Sequence, residues 1–235
     1  MASPPRPSDA VEFHSEIAAD FHASYRSDAN RRERVRVWSA LLDRHAGGAR
    51  FAYDFGCGSG VLACEIARRG IETVGIDGAT GMLQIAEQAA RNEGLTNLSF
   101  QRHRLPISDT SGFRPADIVI SSSAIEYLDS ISEALACLRD LTKPGGVVMV
   151  SVSNRDSVSR KFVRWVHRLT GQPRYFGLLR HFMTSEELRN ELRLAELACV
   201  EHTYFGRADR FNRALSVILP PKYSSNMILA VAKRA

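Results

Sequence analysis
Residues 54–60 read Asp-Phe-Gly-Cys-Gly-Ser-Gly, the stretch where residue type and spacing most directly imply chemistry. Gly56, Gly58 and Gly60 alternate, which permits a tight turn and lets a ligand approach the backbone around Cys57 closely. The spacing differs from a dinucleotide loop. There the glycines fall as GxGxxG so that a helix N-terminus meets a pyrophosphate; here the third glycine comes one residue early and Val61 stands in the expected place. Asp54, immediately ahead of the loop, would repel a pyrophosphate but favour an ammonium or sulfonium group. Asp77, 23 positions further on, suits a ribose diol, because a carboxylate accepts two hydroxyl hydrogen bonds. Together these residues describe a site for an adenosine bearing a cationic tail.

Such a site needs strands that end at the loop and at Asp77. From residue 50 onward, strand-like apolar runs at 51–55, 72–76, 97–101, 117–121 and 147–152 alternate with helical segments at 61–69, 82–91 and 130–141. Five strands with crossover helices imply a parallel sheet. Ahead of them, apolar positions spaced among charges predict two helices across 11–45. Behind them, Thr184 and Glu187 form a capping box for a helix over 185–195. Residues 199–205 and 227–232 are strand-like, and the Pro220-Pro221 pair between them is expected to prevent their regular pairing.

The segments YDFGCGSG (53–60), VGIDGA (74–79) and KPGG (143–146), in this order on successive βα units, resemble the class I S-adenosylmethionine-dependent methyltransferases of small-molecule type over roughly residues 50–153. The resemblance implies an α/β, doubly wound, Rossmann-like seven-stranded sheet, mostly parallel with the last strand antiparallel and helices on both faces. It implies S-adenosyl-L-methionine as cofactor. Asp54 would act near its aminoacyl end, the loop of Gly56, Cys57, Gly58 and Gly60 would pass under methionine and ribose, and Asp77 would hold the ribose hydroxyls, with Gly78 and Met82 beside it. The family usually places an acidic or polar side chain at the adenine amine, but this chain reads Gln101-Arg102-His103-Arg104-Leu105-Pro106 there. Either His103 or the backbone around Leu105 would take that role. Ser122 is a cofactor-side candidate after the fourth strand, and Tyr25 would fold over the cofactor from the N-terminal helices.

Methyl transfer asks an enzyme to position the acceptor, exclude water and, for a hydroxyl, help remove its proton. His181, just ahead of the capped helix, is the leading general-base candidate and Tyr127 faces the acceptor with it; Glu126 could orient an acceptor but reads mainly as a packed turn. The Pro-Pro-aromatic motif of base-amine methylases and a Pro-Cys nucleophile are both absent, so no nucleic-acid partner is expected. The expected activity is methylation of oxygen, with nitrogen second, on a small biosynthetic intermediate. The alternatives are a non-catalytic S-adenosylmethionine-binding subunit and a protein or RNA methyltransferase. A nicotinamide oxidoreductase is disfavoured by the loop and by Asp54.

Composition agrees with a globular, soluble chain: 235 residues are 44% hydrophobic and 24% charged, and a single domain of this size needs no disulfide or zinc staple. The four cysteines lack CxxC or Cys/His ligand spacing, so no metal site is expected. The expected organisation is a helical cap (1–48), a cofactor-binding core (49–154), a lid insertion (155–182) and a C-terminal helix with strands (183–235). The start lacks a signal-peptide pattern and no run is long enough to span a membrane, pointing to the cytoplasm. The net charge is +5, and the excess is concentrated at 155–182, with seven basic groups and one acidic. Three readings of this basic amphipathic stretch stay open: it attracts an anionic acceptor, it rests on an anionic membrane through 157–169, or it is a solvated charged face.

Overall fold
The computed structural model describes residues 9–235; the Pro-rich start at 1–8 lies outside them. Three helices come first, α1 (Ala10–Glu16), α2 (Ala18–Ser27) and α3 (Ala29–His45). The alternating core follows with β1 (Phe51–Phe55), α4 (Val61–Ala67), β2 (Glu72–Asp77), α5 (Thr80–Asn92), β3 (Leu98–Arg102), β4 (Ala116–Ser122), α6 (Ile131–Leu141) and β5 (Thr142–Ser153). The chain ends with α7 (Val158–Thr170), α8 (Ser185–Leu194), β6 (Leu197–Phe205), α9 (Arg210–Ile218), α10 (Pro221–Ser224) and β7 (Met227–Arg234).

The strands form one seven-stranded sheet in the order β3-β2-β1-β4-β5-β7-β6. β3, β2, β1, β4 and β5 run parallel, and β7 is antiparallel to both β5 and β6. All five residues of β1 are buried, as expected of a central parallel strand covered on both faces. On one face Tyr53, Val119 and Val148 pack against Leu135 and Leu138 of α6 and Leu188 of α8. On the other, Ala52, Ile118 and Met149 meet Trp38 and Leu42 of α3 and Ile66 of α4. At about 25 cal/mol per Å² of apolar surface, each Val, Leu, Ile or Met among them contributes roughly 1.5–3 kcal/mol relative to exposure.

Three expectations need correction. The 11–45 region holds three helices rather than two: Asp28 caps α3 by accepting the Arg31 amide at 3.0 Å, and α1 breaks from α2 at Ile17. β6 and β7 pair regularly from Leu197↔Arg234 to Phe205↔Met227, with one irregularity between Cys199 and Glu201. Pro220 and Pro221 do not prevent this because they lie in the connection, where Pro221 opens α10 at a position that needs no amide donor. The same connection contains α9, which the apolar-run reading missed. The Thr184 capping box is present, with the Glu187 amide donating to Oγ1 at 3.1 Å and the Thr184 amide donating to the Glu187 carboxylate at 2.8 Å.

Candidate active site
The sheet order reverses between β1 and β4, and ligands of such sheets sit outside the C-terminal strand ends at that reversal. A cavity of about 1420 Å³ opens there. Asp54, Gly56, Cys57, Gly58, Asp77, Gly78, Met82, Leu105, Ser122, Tyr25 and Tyr127 all line it.

The glycine turn is shaped by backbone conformations that favour glycine. Gly56 and Gly58 have φ of +76° and +52°, and a Cβ on Gly56 would overlap the Ala124 side chain. The Gly56 and Cys57 amides donate to the Ile76 carbonyl at 2.7 and 3.0 Å, which ties the end of β1 to that of β2. Asp77 then binds the turn: one carboxylate oxygen accepts the Gly58 amide and the other the Ala79 amide, both at 2.8 Å. Each oxygen keeps a second lone pair for a ligand hydroxyl. Burial raises the Asp77 pKa, and these amide donors counter the shift. Gly60 serves differently from expectation. It lies outside the cavity lining; its φ is +76°, and a Cβ there would overlap the Ala86 side chain of α5, so the glycine lets the chain pass that helix closely as α4 begins.

Asp54 is buried with neither carboxylate oxygen hydrogen-bonded within the described residues. Desolvation, reinforced by Asp77, pushes its pKa up to about 8, with the Ala63 amide acting in the opposite direction. A buried carboxyl left without a partner destabilises the free protein unless a ligand supplies charge or donors. Its position on the cavity wall suits a cationic ligand. Ser122 and Ser123 likewise present buried hydroxyls without partners among the described residues, and Ser123 has φ of 57°, a left-handed conformation costly for a residue with a Cβ.

The N-terminal helices close over this side. Val11, Ile17 and Phe21 pack with Met82 and Ala79, while Gly78 and Gly81 make room for α1: a Cβ on Gly81 would meet the Ser15 carbonyl at 2.5 Å. Tyr25 stands 5.8 Å from Phe21, ring centre to ring centre, and the Arg31 guanidinium lies 3.9 Å over the Phe21 ring. His103 turns away from the cavity, its ring 5.3 Å from Phe113, so the backbone and side chains at Arg104, Leu105 and Pro106 form the wall instead.

His181 does not face the large cavity. Its Nε2 lies 2.9 Å from the Leu128 carbonyl, an acceptor, so that nitrogen carries hydrogen, and the ring lines a separate depression with Arg155 and Glu187. The cause is local: the Arg180 and His181 amides donate to the Glu126 carbonyl, clamping the segment against the turn after β4 and turning the ring outward. Glu126 is buried, and one carboxylate oxygen accepts the Ser153 amide, so it helps close this turn.

The histidine that does line the cavity is His14 on α1, which the sequence reading did not single out. Its Nδ1 lies 2.7 Å from the Ala10 carbonyl. A carbonyl only accepts, so Nδ1 carries the hydrogen and Nε2 of the neutral ring is left as a proton acceptor. The ring stands edge-on to Tyr127 with centres 5.1 Å apart. Burial lowers its pKa, with Arg31 acting in the same direction, while the Ala10 carbonyl and Asp77 partly oppose the shift. The imidazole is therefore neutral near pH 7. Tyr127 is half-buried, and its phenol pKa is raised by desolvation and Glu126, so it remains protonated. No local motif marks His14; only the folding of α1 onto α5 brings it here. Arg34 and Arg160 also line the cavity without an ion pair among the described residues. Arg160 donates to the Asn226 carbonyl at 3.4 Å.

A seven-stranded sheet with its glycine turn at the reversal, a second carboxylate binding that turn and an uncompensated Asp54 define an S-adenosylmethionine-dependent methyltransferase. The residues present fit the cofactor: Gly58, at φ +52°, adds no side chain beside Phe21 and Met82 on the cavity wall, and the carboxyl of Asp54 suits a cation. The chain belongs to the family described as methyltransferase domain, whose model matches residues 25–202. It is 29% identical over 170 residues to a ubiquinone biosynthesis O-methyltransferase of Acinetobacter baylyi, covering 69% of this chain and 70% of that protein. An S-adenosylmethionine-dependent methyltransferase from Mesorhizobium loti shares the fold with a TM-score of 0.64 at 20% identity, covering 88% of this chain and 99% of that one. A magnesium protoporphyrin IX methyltransferase from Synechocystis, solved with bound SAH, gives a TM-score of 0.63 at 15% identity, covering 100% of this chain and 90% of that one.

Proposed function
We propose that the enzyme methylates a hydroxyl oxygen of a small, largely apolar acceptor, with a hydroxylated aromatic quinone precursor as the substrate class. The observation that carries this reading is the second half of the cavity, where Phe162, Val163, Tyr175, Leu178 and Phe211 supply apolar walls and His14 Nε2 is available to take a proton. The name of the Acinetobacter relative, a ubiquinone biosynthesis O-methyltransferase, agrees with oxygen as the methylated atom.

S-Adenosylmethionine supplies an electrophilic methyl group carried on a sulfonium sulfur. Asp54 and Asp77 would hold it, with the Gly56–Cys57–Gly58 backbone beneath. His14 would accept the acceptor hydroxyl proton as the oxygen becomes nucleophilic, with Tyr127 packed against the imidazole to fix its orientation. The helices of the N-terminal cap and the 155–182 lid would exclude water and hold the acceptor in line, and much of the rate enhancement would come from this positioning.

Radiolabelled cofactor and a panel of prenylated catechols and matched anilines test the reading. Label on catechol oxygen is expected; label on the anilines alone would overturn it. A second reading is an acceptor with a carboxylate, favoured by Arg34 and Arg160 in the same cavity without ion-pair partners among the described residues. It predicts a KM for the carboxylated acceptor at least tenfold below that of its decarboxylated counterpart.

A further inference from the structure
α7 carries Val158, Phe162, Trp165 and Leu169 on one stripe, a pattern that in a soluble protein ordinarily faces the core. Here the stripe faces outward. Trp165 is 58% exposed and Leu169 67%, with Val158 and Phe162 exposed beside them. The neighbouring α9 continues the surface: Val217 is 83% exposed, Ile218 77%, and Phe211 stands 6.4 Å from Phe162, ring centre to ring centre. Single exposed apolar residues need no explanation, but seven on two adjoining helices form a patch that a soluble surface rarely leaves uncovered.

The charged side chains carried by the two helices are of one sign. Neither α7 nor α9 contains Asp or Glu, whereas Lys161, Arg164 and Arg168 on α7 and Arg210 and Arg213 on α9 are exposed. None of these five forms an ion pair among the described residues. On the helical wheel Lys161 and Arg168 lie beside the apolar stripe, with Arg164 further round, so the cations would reach a headgroup layer while Trp165 and Leu169 enter the acyl boundary. Phe162 and Val163 of α7 and Phe211 and Asn212 of α9 also line the large cavity, so the patch borders its mouth.

We propose that α7 and α9 form a docking surface for an anionic lipid bilayer, against which the mouth of the cavity is held. The partner is a lipid surface because apolar side chains and unpaired cations share one face, the combination that binds acidic headgroups and acyl chains together. Docking stands on this surface alone. Its use, entry of a lipid-soluble acceptor directly from the bilayer, rests on the acceptor reading above.

The test sediments the full chain with vesicles of phosphatidylcholine, and with vesicles of phosphatidylcholine mixed with phosphatidylglycerol. At least tenfold stronger binding to the mixed vesicles is expected, weakening as salt rises. Trp165→Glu with Leu169→Glu should lower that binding at least tenfold, and Lys161→Glu with Arg168→Glu should remove the preference for the anionic lipid. These side chains are exposed and outside the cavity lining, so cofactor affinity and circular dichroism should match the wild type. A wild-type chain that stays in the supernatant with mixed vesicles overturns the proposal. So does a wild-type dimer in sedimentation velocity that Trp165→Glu with Leu169→Glu converts to monomer, since the patch is then covered by a second copy. Vesicle binding with no catechol methylation leaves the docking surface standing and refutes the acceptor reading alone.

Discussion
In the half of the cavity proposed for the cofactor, much of the wall is formed by turns at the C-terminal ends of β1, β2 and β4, within a single hydrogen-bonded sheet. In the half proposed for the acceptor the walls include side chains from α1, α3, α7, residues 174–178 and α9, spread from His14 to Asn212 along the chain. The first half depends on backbone shape, on Gly56 and Gly58 at positive φ and on Asp77 bonded to two amides. The second depends on which helices pack where.

Four experiments can break or sharpen this contrast. His14→Ala should lower kcat by about 10²–10⁴-fold while leaving cofactor affinity within about threefold. In the wild type the acid limb of kcat should fall below the ordinary imidazole value of 6.5, because burial favours the neutral ring. A loss of cofactor affinity equal to the loss of kcat would show that the halves are not separable. Asp77→Ala should weaken cofactor binding about 100-fold by calorimetry, since both the ligand hydroxyls and the Gly58 amide lose their acceptor; unchanged affinity would contradict the cofactor assignment.

The third experiment uses pH. Asp54 in the free protein has a pKa raised to about 8, so at pH 7 the carboxyl is mostly protonated. A cationic ligand favours the carboxylate, so binding must release a proton, and affinity should rise by up to about tenfold per unit from pH 6 towards 8 and level off above. Calorimetry in buffers of differing ionisation enthalpy reads the released proton directly, and Asp54→Asn should abolish the slope. A flat profile in the wild type would mean that Asp54 meets no cation. The smallest effect is expected from His181→Ala, which should change kcat by less than about threefold because its Nε2 is committed to the Leu128 carbonyl outside the large cavity.

Much of the cofactor half was legible because its determinants are local. A glycine turn, the carboxylate ending the next strand and the period of the intervening helix lie within some twenty-five residues, and short-range sterics dictate their conformation. Gly60 shows the limit even there: its type announced a tight turn, but only the approach of Ala86 and Phe100, distant in sequence, shows that it is crowded by neighbouring elements rather than lining the cavity. His181 and His14 show a larger one. Both are single histidines near helix ends, and nothing in their neighbours tells which will face the cavity; two amides on the Glu126 carbonyl turned one away, and glycines at 78 and 81 admitted the other.

The amphipathic pattern of α7 was likewise plain in the residues, as was that of α5. In α5 the apolar positions Met82, Leu83 and Ala86 are buried, while in α7 Trp165 and Leu169 are left in solvent. Sequence by itself determined the alternating strands, the glycine turn, the two carboxylates at the ends of β1 and β2 and the period of each helix, because sterics, propensity and hydrophobic spacing act over a few residues. Tertiary structure alone decided the pairing of β6 with β7, the histidine that faces the cavity and the apolar stripe that stays uncovered, because each depends on contacts between residues far apart in the chain.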